Sequence, residues 1–211
     1  MQIMRLNALT ATLVATSMNA SAIDESAVRE KWHTPFGLYL SAREAYELKT
    51  SRPDEVLFID VRTPLELRYV GVAEQIDANI PYRFDTTEWR AKSGDRHGTF
   101  RRELNFQFEA AVENALQAKG LDKSSPIIIM CTSGSRAPYA ARALYDAGFK
   151  TVYTQVEGFE GVKARSGPQT GKRVVAGWKH EGLPWSYELQ AEKMYFNFAP
   201  TPAPSTAPRT E

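Results

Sequence analysis

The sequence is poor in the residues that form disulfides and metal sites. It has one cysteine and three histidines in 211 residues, and a lone cysteine cannot form an internal disulfide. His33, His97 and His180 lie far apart, without the spacing of metal ligands, so we predict no metal and no cofactor. The 26 basic residues nearly balance the 25 acidic ones, and the formal net charge is +1. This balance does not suggest a nucleic-acid partner.

Long apolar runs are also absent beyond the N-terminus. Residues 1–22 contain Arg5, a short and moderately apolar stretch, and the small residues Ala20-Ser21-Ala22, which is the order of a cleaved secretory signal peptide. The stretch is too short to span a bilayer, and the alternative interpretation is a frayed N-terminal helix. We therefore predict a periplasmic or secreted protein that is not inserted in a membrane after signal removal. A single thiol agrees with export into an oxidising compartment.

Residues 23–198 are expected to form a single α/β domain. Short β-branched runs alternate with helical periodicity, which predicts a sandwich with a mainly parallel sheet. Two polar stretches, at about 82–104 and 162–176, interrupt the domain as insertions. A tail at 199–211, rich in proline, alanine and threonine, is predicted to be disordered.

Capping residues predict the starts of two helices. Ser41 and Glu44 have the spacing of a capping box, for a helix that reaches about residue 49. Asn105 is predicted to cap a helix over about 106–119. The stripe of that helix that packs on the sheet recurs every four residues and consists of Phe108, Val112 and Leu116.

The segment from Pro126 to Gly148 combines a strand, a turn and a helix around the only cysteine. Residues 127–130 form an apolar run typical of a strand covered on both faces. The alanine-rich stretch before Gly148 carries a proline suited to a first helical turn. Between them lies the cysteine loop, residues 131–136: Cys131, Thr132, Ser133, Gly134, Ser135 and Arg136. Its N–H groups and the positive helix end are expected to face the sulfur.

This setting predicts a reactive thiolate at Cys131, with the other five loop residues binding its substrate. Reactive cysteines occur in electropositive surroundings. The alternative is a structural cysteine, because free cysteine is among the most buried residue types. We favour the thiolate, since the strand end, the Gly/Ser turn and Arg136 coincide. The guanidinium of Arg136 suits either orientation of the loop or contact with an anionic donor.

Asp60 and Arg62 follow another predicted strand, over residues 56–59. They would lie at its carboxyl end, where open α/β sheets place their sites. Asp60 is interpreted either as an acceptor of N–H bonds that supports the cysteine loop or as half of a local ion pair with Arg62 that closes a turn. We assign both residues a supporting function rather than a chemical one.

The polar insertion at 82–104 allows two interpretations. A loop of this length in a compact domain is usually functional or mobile, so it could fold over the cysteine and supply cationic contacts to an anionic donor. Alternatively its acidic residues balance its basic ones and the insertion is a solvated face. We favour the solvated face.

Four segments resemble one family when they are taken together. They are L-F-I-D-V-R-T-P-L-E-L (57–67), C-T-S-G-S-R (131–136) with the helix after it, V-Y-T-Q-V-E-G-F-E-G (152–161) and G-W-K-H-E-G-L-P-W (177–185). In this order they resemble rhodanese-like sulfurtransferases of the single-domain, exported bacterial type. The resemblance implies a three-layer sandwich, with a mainly parallel five-stranded sheet between helices. Gly71-Val72-Ala73 departs from the Gly-His-Ile that the family often has, at a position we interpret as structural.

The resemblance also implies a reaction. The thiolate would take a sulfane sulfur from thiosulfate or a persulfide, and the Cys131 persulfide would pass it to a thiol or to cyanide. One alternative is a non-catalytic persulfide carrier or redox-binding module for an exported protein partner, which the insertions favour mildly. A cysteine phosphatase is disfavoured, because four residues separate Cys131 from Arg136 and phosphatases with such a loop have one more.

Overall fold

The computed structural model of the chain describes residues 23–91 and 97–197. The predicted signal peptide at 1–22 and the predicted tail at 199–211 lie outside these ranges, so both stay predictions. Within the described ranges, no helix combines the length and apolar character that a bilayer-spanning segment requires.

Four helices and eleven strands make up the described chain. The helices are α1 (Ala42–Ser51), α2 (Pro64–Val70), α3 (Phe108–Ala118) and α4 (Ala137–Asp146). The strands are β1 (Tyr39–Leu40), β2 (Leu57–Asp60), β3 (Val72–Ala73), β4 (Ala78–Asn79), β5 (Arg83–Ala91), β6 (Gly98–Leu104), β7 (Ile127–Met130), β8 (Val152–Gln155), β9 (Val162–Lys163), β10 (Arg173–Val175) and β11 (Trp185–Ser186). Short 3-10 turns span Glu25–Ala27, Glu30–Trp32 and Ala191–Lys193.

Five parallel strands form the central sheet, in the order β1-β8-β7-β2-β4. This arrangement confirms the predicted α/β class and the parallel five-stranded sheet. Strands β2 and β7 are fully buried because their apolar runs are covered on both faces. Strand β7 lies in the middle and carries Cys131 just beyond its carboxyl end, next to the end of β2.

Alternate side chains of the inner strands enter two separate cores. Ile127 and Ile129 pack with α3 and α4 on one face of the sheet, in a cluster that includes the predicted stripe Phe108, Val112 and Leu116. Ile128 and Met130 pack on the other face with residues of α1 and α2 and with Trp178. Two helical layers therefore enclose the sheet, as the three-layer prediction requires. Burying each large aliphatic side chain stabilises the fold by about 1.5–3 kcal/mol.

The predicted start of α3 is wrong by two residues. The helix begins at Phe108 with Gln107 at its N-cap position, and Gln107 makes no capping bond with its side chain. Asn105 instead closes the preceding turn, since its Oδ1 accepts from the N–H of Gln107 at 3.1 Å and its Nδ2 donates to the carbonyl of Pro81 at 2.9 Å. The capping box of Ser41 and Glu44 on α1 is present as predicted.

The two insertions contain strands rather than irregular loops. Residues 83–91 and 98–104 pair as the antiparallel hairpin β5–β6, with an irregular register between Asp85 and Trp89; the residues between the two strands, 92–96, lie outside the described ranges. Most of its side chains are exposed. In the second insertion, β9 and β10 pair antiparallel. The strands of the first hairpin are polar and bury neither face. Hydrophobic periodicity therefore did not predict them.

Candidate active site

Cys131 is held where two neighbouring strands end. The N–H of Val61, just after β2, donates to the carbonyl of Met130 at 2.9 Å. From the other side, the N–H groups of Phe159 and Glu160 donate to the carbonyls of Cys131 and Thr132 at 2.7 and 2.9 Å. These bonds fix the start of the cysteine loop on both sides, before the chain enters α4.

The loop is tightly packed at Gly134. Its φ of +74° lies in the left-handed region that favours glycine. A Cβ at this position would also collide with the carbonyl group of Val156. Both conditions explain why the turn between Cys131 and Arg136 requires glycine at its centre.

The sulfur accepts one hydrogen bond within the described chain. The N–H of Arg136, at the N-cap of α4, donates to Sγ of Cys131 at 3.3 Å. The N–H groups of residues 132–135 donate to no protein acceptor in the described ranges. One of the five predicted amides therefore contacts Sγ, and the other four have no acceptor among the described residues.

Cys131 is nevertheless closed off. Its side chain is 0% exposed and packs in the apolar cluster with Ile129, Ala137 and Ala140. A cavity of about 570 Å³ lies between Arg136 and the β5–β6 hairpin, and one of about 700 Å³ contacts Ser133 and Ser135. Cys131 lines neither cavity, so a substrate reaches the sulfur only after side chains of the loop move.

Glu66 fixes the side chain of Arg136. The two guanidinium Nη atoms donate to the two carboxylate oxygens at 2.8 and 2.6 Å. Thr132 closes the set, since its hydroxyl accepts from Arg136 at 2.6 Å and donates to Glu66 at 2.7 Å. Arg136 was predicted either to orient the loop or to contact an anionic donor. The contacts that it makes are those of the first role, because they hold it against Thr132 of the loop.

The charges of this network support one another. Burial raises the pKa of Glu66, but the hydrogen bonds and charge of Arg136, with smaller contributions from Thr132 and Arg102, outweigh burial and lower the pKa to about 2. Burial lowers the pKa of Arg136, and the hydrogen bonds and charge of Glu66 raise it overall. Both groups are therefore charged at neutral pH.

Glu66 was not predicted from the sequence as a residue of the site, unlike Thr132 and Arg136. Its spacing from Thr63 was a usable signal, because the two form the capping box of α2 and Pro64 occupies the first turn. The capping role accounts for an acidic residue there. The second role depends on a partner 70 positions away along the chain, which no local pattern specifies.

Asp60 and Arg62 form the local ion pair of the second interpretation. Both side chains are fully buried, and the Asp60 carboxylate accepts from Nε and Nη2 of Arg62 and from its N–H, at 2.6–3.0 Å. The guanidinium also donates to the carbonyl of Gly71 at 2.9 Å and lies 4.0 Å from the ring centroid of Phe159. The N–H of Phe159 donates to the carbonyl of Cys131, so this one residue contacts both the ion pair and the cysteine loop.

The β5–β6 hairpin combines features of both interpretations of its segment. Arg102 pairs with Asp85 at 2.7 Å and Arg101 with Glu88 at 3.7 Å, on exposed strands. This is the internal balance expected of a solvated face. Arg102 also lies 3.8 Å from Glu66, which brings the hairpin against the network that orients Arg136.

A metal centre has no evident place among the described residues. No group of three or more His, Cys, Asp or Glu side chains within them could hold an ion. The groups available for chemistry are the thiol of Cys131, one amide N–H that is hydrogen-bonded to its sulfur, and four amide N–H groups without acceptors among the described residues.

Comparison with known proteins identifies the family. The sequence profile of the family described as "Rhodanese-like domain" matches residues 41–165. This chain belongs to the rhodanese-like domain family. Membership places it in a sulfurtransferase-type family and covers the cysteine loop together with the β2–α2 segment that holds Asp60 and Glu66.

Relatives of this rhodanese-like protein include an uncharacterized protein of Rickettsia conorii, 26% identical over 148 residues, covering 70% of this chain and 96% of the relative. The crystal structure of Rv0390 from M. tuberculosis is 25% identical, with a TM-score of 0.51, and covers 71% of this chain and 97% of that one. A polysulfide-sulfur transferase from Wolinella succinogenes is also 25% identical, with a TM-score of 0.39 over 70% of this chain and 77% of that one.

Proposed function

We propose that this protein is an exported sulfurtransferase that moves a sulfane sulfur through a persulfide on Cys131. The donor is thiosulfate or another small sulfur anion or persulfide, and the acceptor is a thiol, or cyanide in an assay. The proposal combines the family, the loop geometry and the signal-like N-terminus.

The first half-reaction loads the sulfur. The Cys131 thiolate attacks the outer sulfur of thiosulfate, a new S–S bond forms, and the bond to the sulfonate breaks to release sulfite. In the second, an acceptor thiolate or cyanide attacks the outer sulfur of the persulfide, and the S–S bond electrons return to Cys131. This is covalent catalysis with ping-pong kinetics.

The observation that carries the proposal is the unequal use of the loop amides. The N–H of Arg136 is bonded to Sγ, while four consecutive amides before it have no protein acceptor in the described ranges. In this proposal the terminal persulfide sulfur, which carries negative charge one bond beyond Sγ, accepts from those donors. Hydrogen bonds to a charged acceptor contribute about 1.5–3 kcal/mol each, and preorganised donors of this kind stabilise charge without reorganisation.

The orienting network serves the same step. Glu66 and Thr132 hold the Arg136 side chain, and the backbone of the same residue supplies the N–H on Sγ. In this proposal Arg136 binds the inner sulfur through its backbone, and its guanidinium fixes the loop.

A persulfide carrier for an exported protein partner is the second candidate. The specific observation in its favour is the closed thiol, 0% exposed and absent from the lining of both neighbouring cavities. A partner that opens the loop would then be needed for rapid turnover.

Intact-mass measurement after thiosulfate treatment tests the proposal. We expect the wild-type protein to gain the mass of one sulfur atom and Cys131→Ser to gain none. Uptake by both proteins, or by neither from any donor, would overturn the first half-reaction. Steady-state thiocyanate formation then separates the two candidates, because a carrier loads one sulfur yet turns over negligibly alone.

A further inference from the structure

A groove lies on the side of the cysteine loop that faces Ser133 and Ser135. It has a volume of about 700 Å³, and we call it the basic groove. Its walls come from the 3-10 turns at Glu25–Ala27 and Glu30–Trp32 and from strands β9 and β10 of the second insertion. The two 3-10 turns and β10 lie outside the family match at 41–165, whereas β9 and the two serines lie inside it.

The groove has a cationic lining without a compensating acid. Arg29, Lys163, Arg165 and Arg173 line it, and no aspartate or glutamate does. Lys163 and Arg165 are exposed and take part in none of the ion pairs that the described residues form. Arg173 is paired with an acid outside the lining, since its Nε lies 4.0 Å from Oε2 of Glu160. The site therefore favours a ligand with more than one negative charge.

Apolar side chains form the rest of the groove. Val28, Trp32, Val156 and Val162 contribute to its surface, and the guanidinium of Arg29 lies 4.9 Å from the ring centroid of Trp32. A charged rim around an apolar surface fits an organic molecule. The volume falls within the range of about 300–1,000 Å³ typical of small-molecule sites, which is far more than a thiosulfate ion needs.

The cavity between the hairpin and Arg136 is less suited to such a ligand. Glu88 and Glu103 line it together with its arginines. Two of those arginines are already paired, Arg101 with Glu88 and Arg102 with Asp85. Arg136 is paired with Glu66, and Arg83 and Arg90 share the lining with Glu103, whereas no acid among the described residues lines the basic groove.

We infer that the basic groove binds the sulfur acceptor, an organic thiol that carries two or more carboxylates. Ser133 and Ser135 belong both to the groove and to the loop whose amides lack acceptors, so a thiol seated there reaches the persulfide once the side chains of the loop move. The acceptor thiolate attacks the outer sulfur, a new S–S bond forms, and the bond to Cys131 breaks to restore its thiolate. This inference rests on the proposed sulfurtransferase function.

The test compares acceptors of different charge. Persulfide-loaded wild type and the double variant Lys163→Gln/Arg165→Gln are mixed with mercaptosuccinate, which carries two carboxylates, or with neutral 2-mercaptoethanol. We expect the double variant to lower the rate with mercaptosuccinate about tenfold relative to the rate with 2-mercaptoethanol. That factor corresponds to about 1.4 kcal/mol.

The matched control is Arg52→Gln/Lys150→Gln. It removes the same charge from the opposite edge of the sheet, where β2 and β8 begin. An equal fall in the rate ratio for this control, or no fall for the groove variant, would overturn the inference, because either result excludes local recognition. Failure of the sulfurtransferase proposal looks different, since the wild type then carries no persulfide to transfer.

Discussion

Glu66→Gln tests whether one carboxylate organises the cysteine loop. The change keeps the shape of the side chain and removes the charge that pairs with both Nη atoms of Arg136. Arg136 and Glu66 are 13% and 17% exposed, so water replaces little of the lost interaction. In this variant we expect the guanidinium of Arg136 to remain buried and charged, without a charged partner at position 66.

The size of the effect follows from the pKa of Glu66, which is about 2 instead of 4.5. At about 1.4 kcal/mol per pKa unit, the ionised carboxylate stabilises the fold by on the order of 3 kcal/mol at pH 7. Breaking a buried ion pair typically costs about 3–5 kcal/mol, which agrees. The variant should therefore lose about 3 kcal/mol of unfolding free energy.

The pH dependence gives a second measure. The folded-state pKa is lowered, so this stabilisation is complete above pH 4.5 and is lost as the pH falls towards 2. The difference in unfolding free energy between wild type and Glu66→Gln should thus fall, at pH 3, to about half of its value at pH 7. Persulfide formation should slow as well, because the loop loses its fixed position.

Urea unfolding of wild type, Glu66→Gln and the control Glu47→Gln at pH 7 and pH 3 provides the measurement. Glu47 is an exposed residue of α1, and its change should cost less than about 0.5 kcal/mol. The stabilising role of the network would be refuted if Glu66→Gln were as stable as this control. It would also be refuted if the difference in unfolding free energy between wild type and Glu66→Gln did not narrow at pH 3.

Two further predictions concern the loop and its support. Gly134→Ala should destabilise the protein by more than about 2 kcal/mol in urea unfolding, because it combines left-handed strain with a collision at Val156. Gly148→Ala is its control, with a φ of +86° and open space around a Cβ, and should cost only the left-handed strain of about 1–2 kcal/mol; equal costs would contradict the packing explanation. Asp60→Asn should cost about 3–5 kcal/mol, since it leaves the Arg62 charge buried, and an unchanged midpoint would show that the pair adds no stability.

The sequence was sufficient to predict the parts of this fold that depend on local patterns. The apolar run before Cys131 predicted a buried strand, and capping residues placed the start of α1 correctly. The stripe of α3 was also predicted correctly, although its first residue was not. Strand order could not be predicted, because it depends on which apolar runs pair across long separations.

The less predictable parts of the site depend on distant contacts. The pairing of Glu66 with Arg136 joins two elements through a hydrogen-bond geometry that spacing does not encode. The complete burial of Cys131 could not be decided from the sequence either. A thiol at a strand end can be exposed or buried, depending on the side chains above it. The insertion at 82–104 forms a hairpin because its polar strands pair with each other, whereas its composition suggested a loop.

The two bonds from Phe159 and Glu160 to the carbonyls of Cys131 and Thr132 lie just upstream of the second insertion. The reacting turn is thus anchored before the chain diverges into β9 and β10. Lengthening or rewriting that insertion during evolution alters the neighbouring wall of the groove without displacing the anchor. Two different segments of the chain therefore determine the position of the cysteine loop and the shape of that wall.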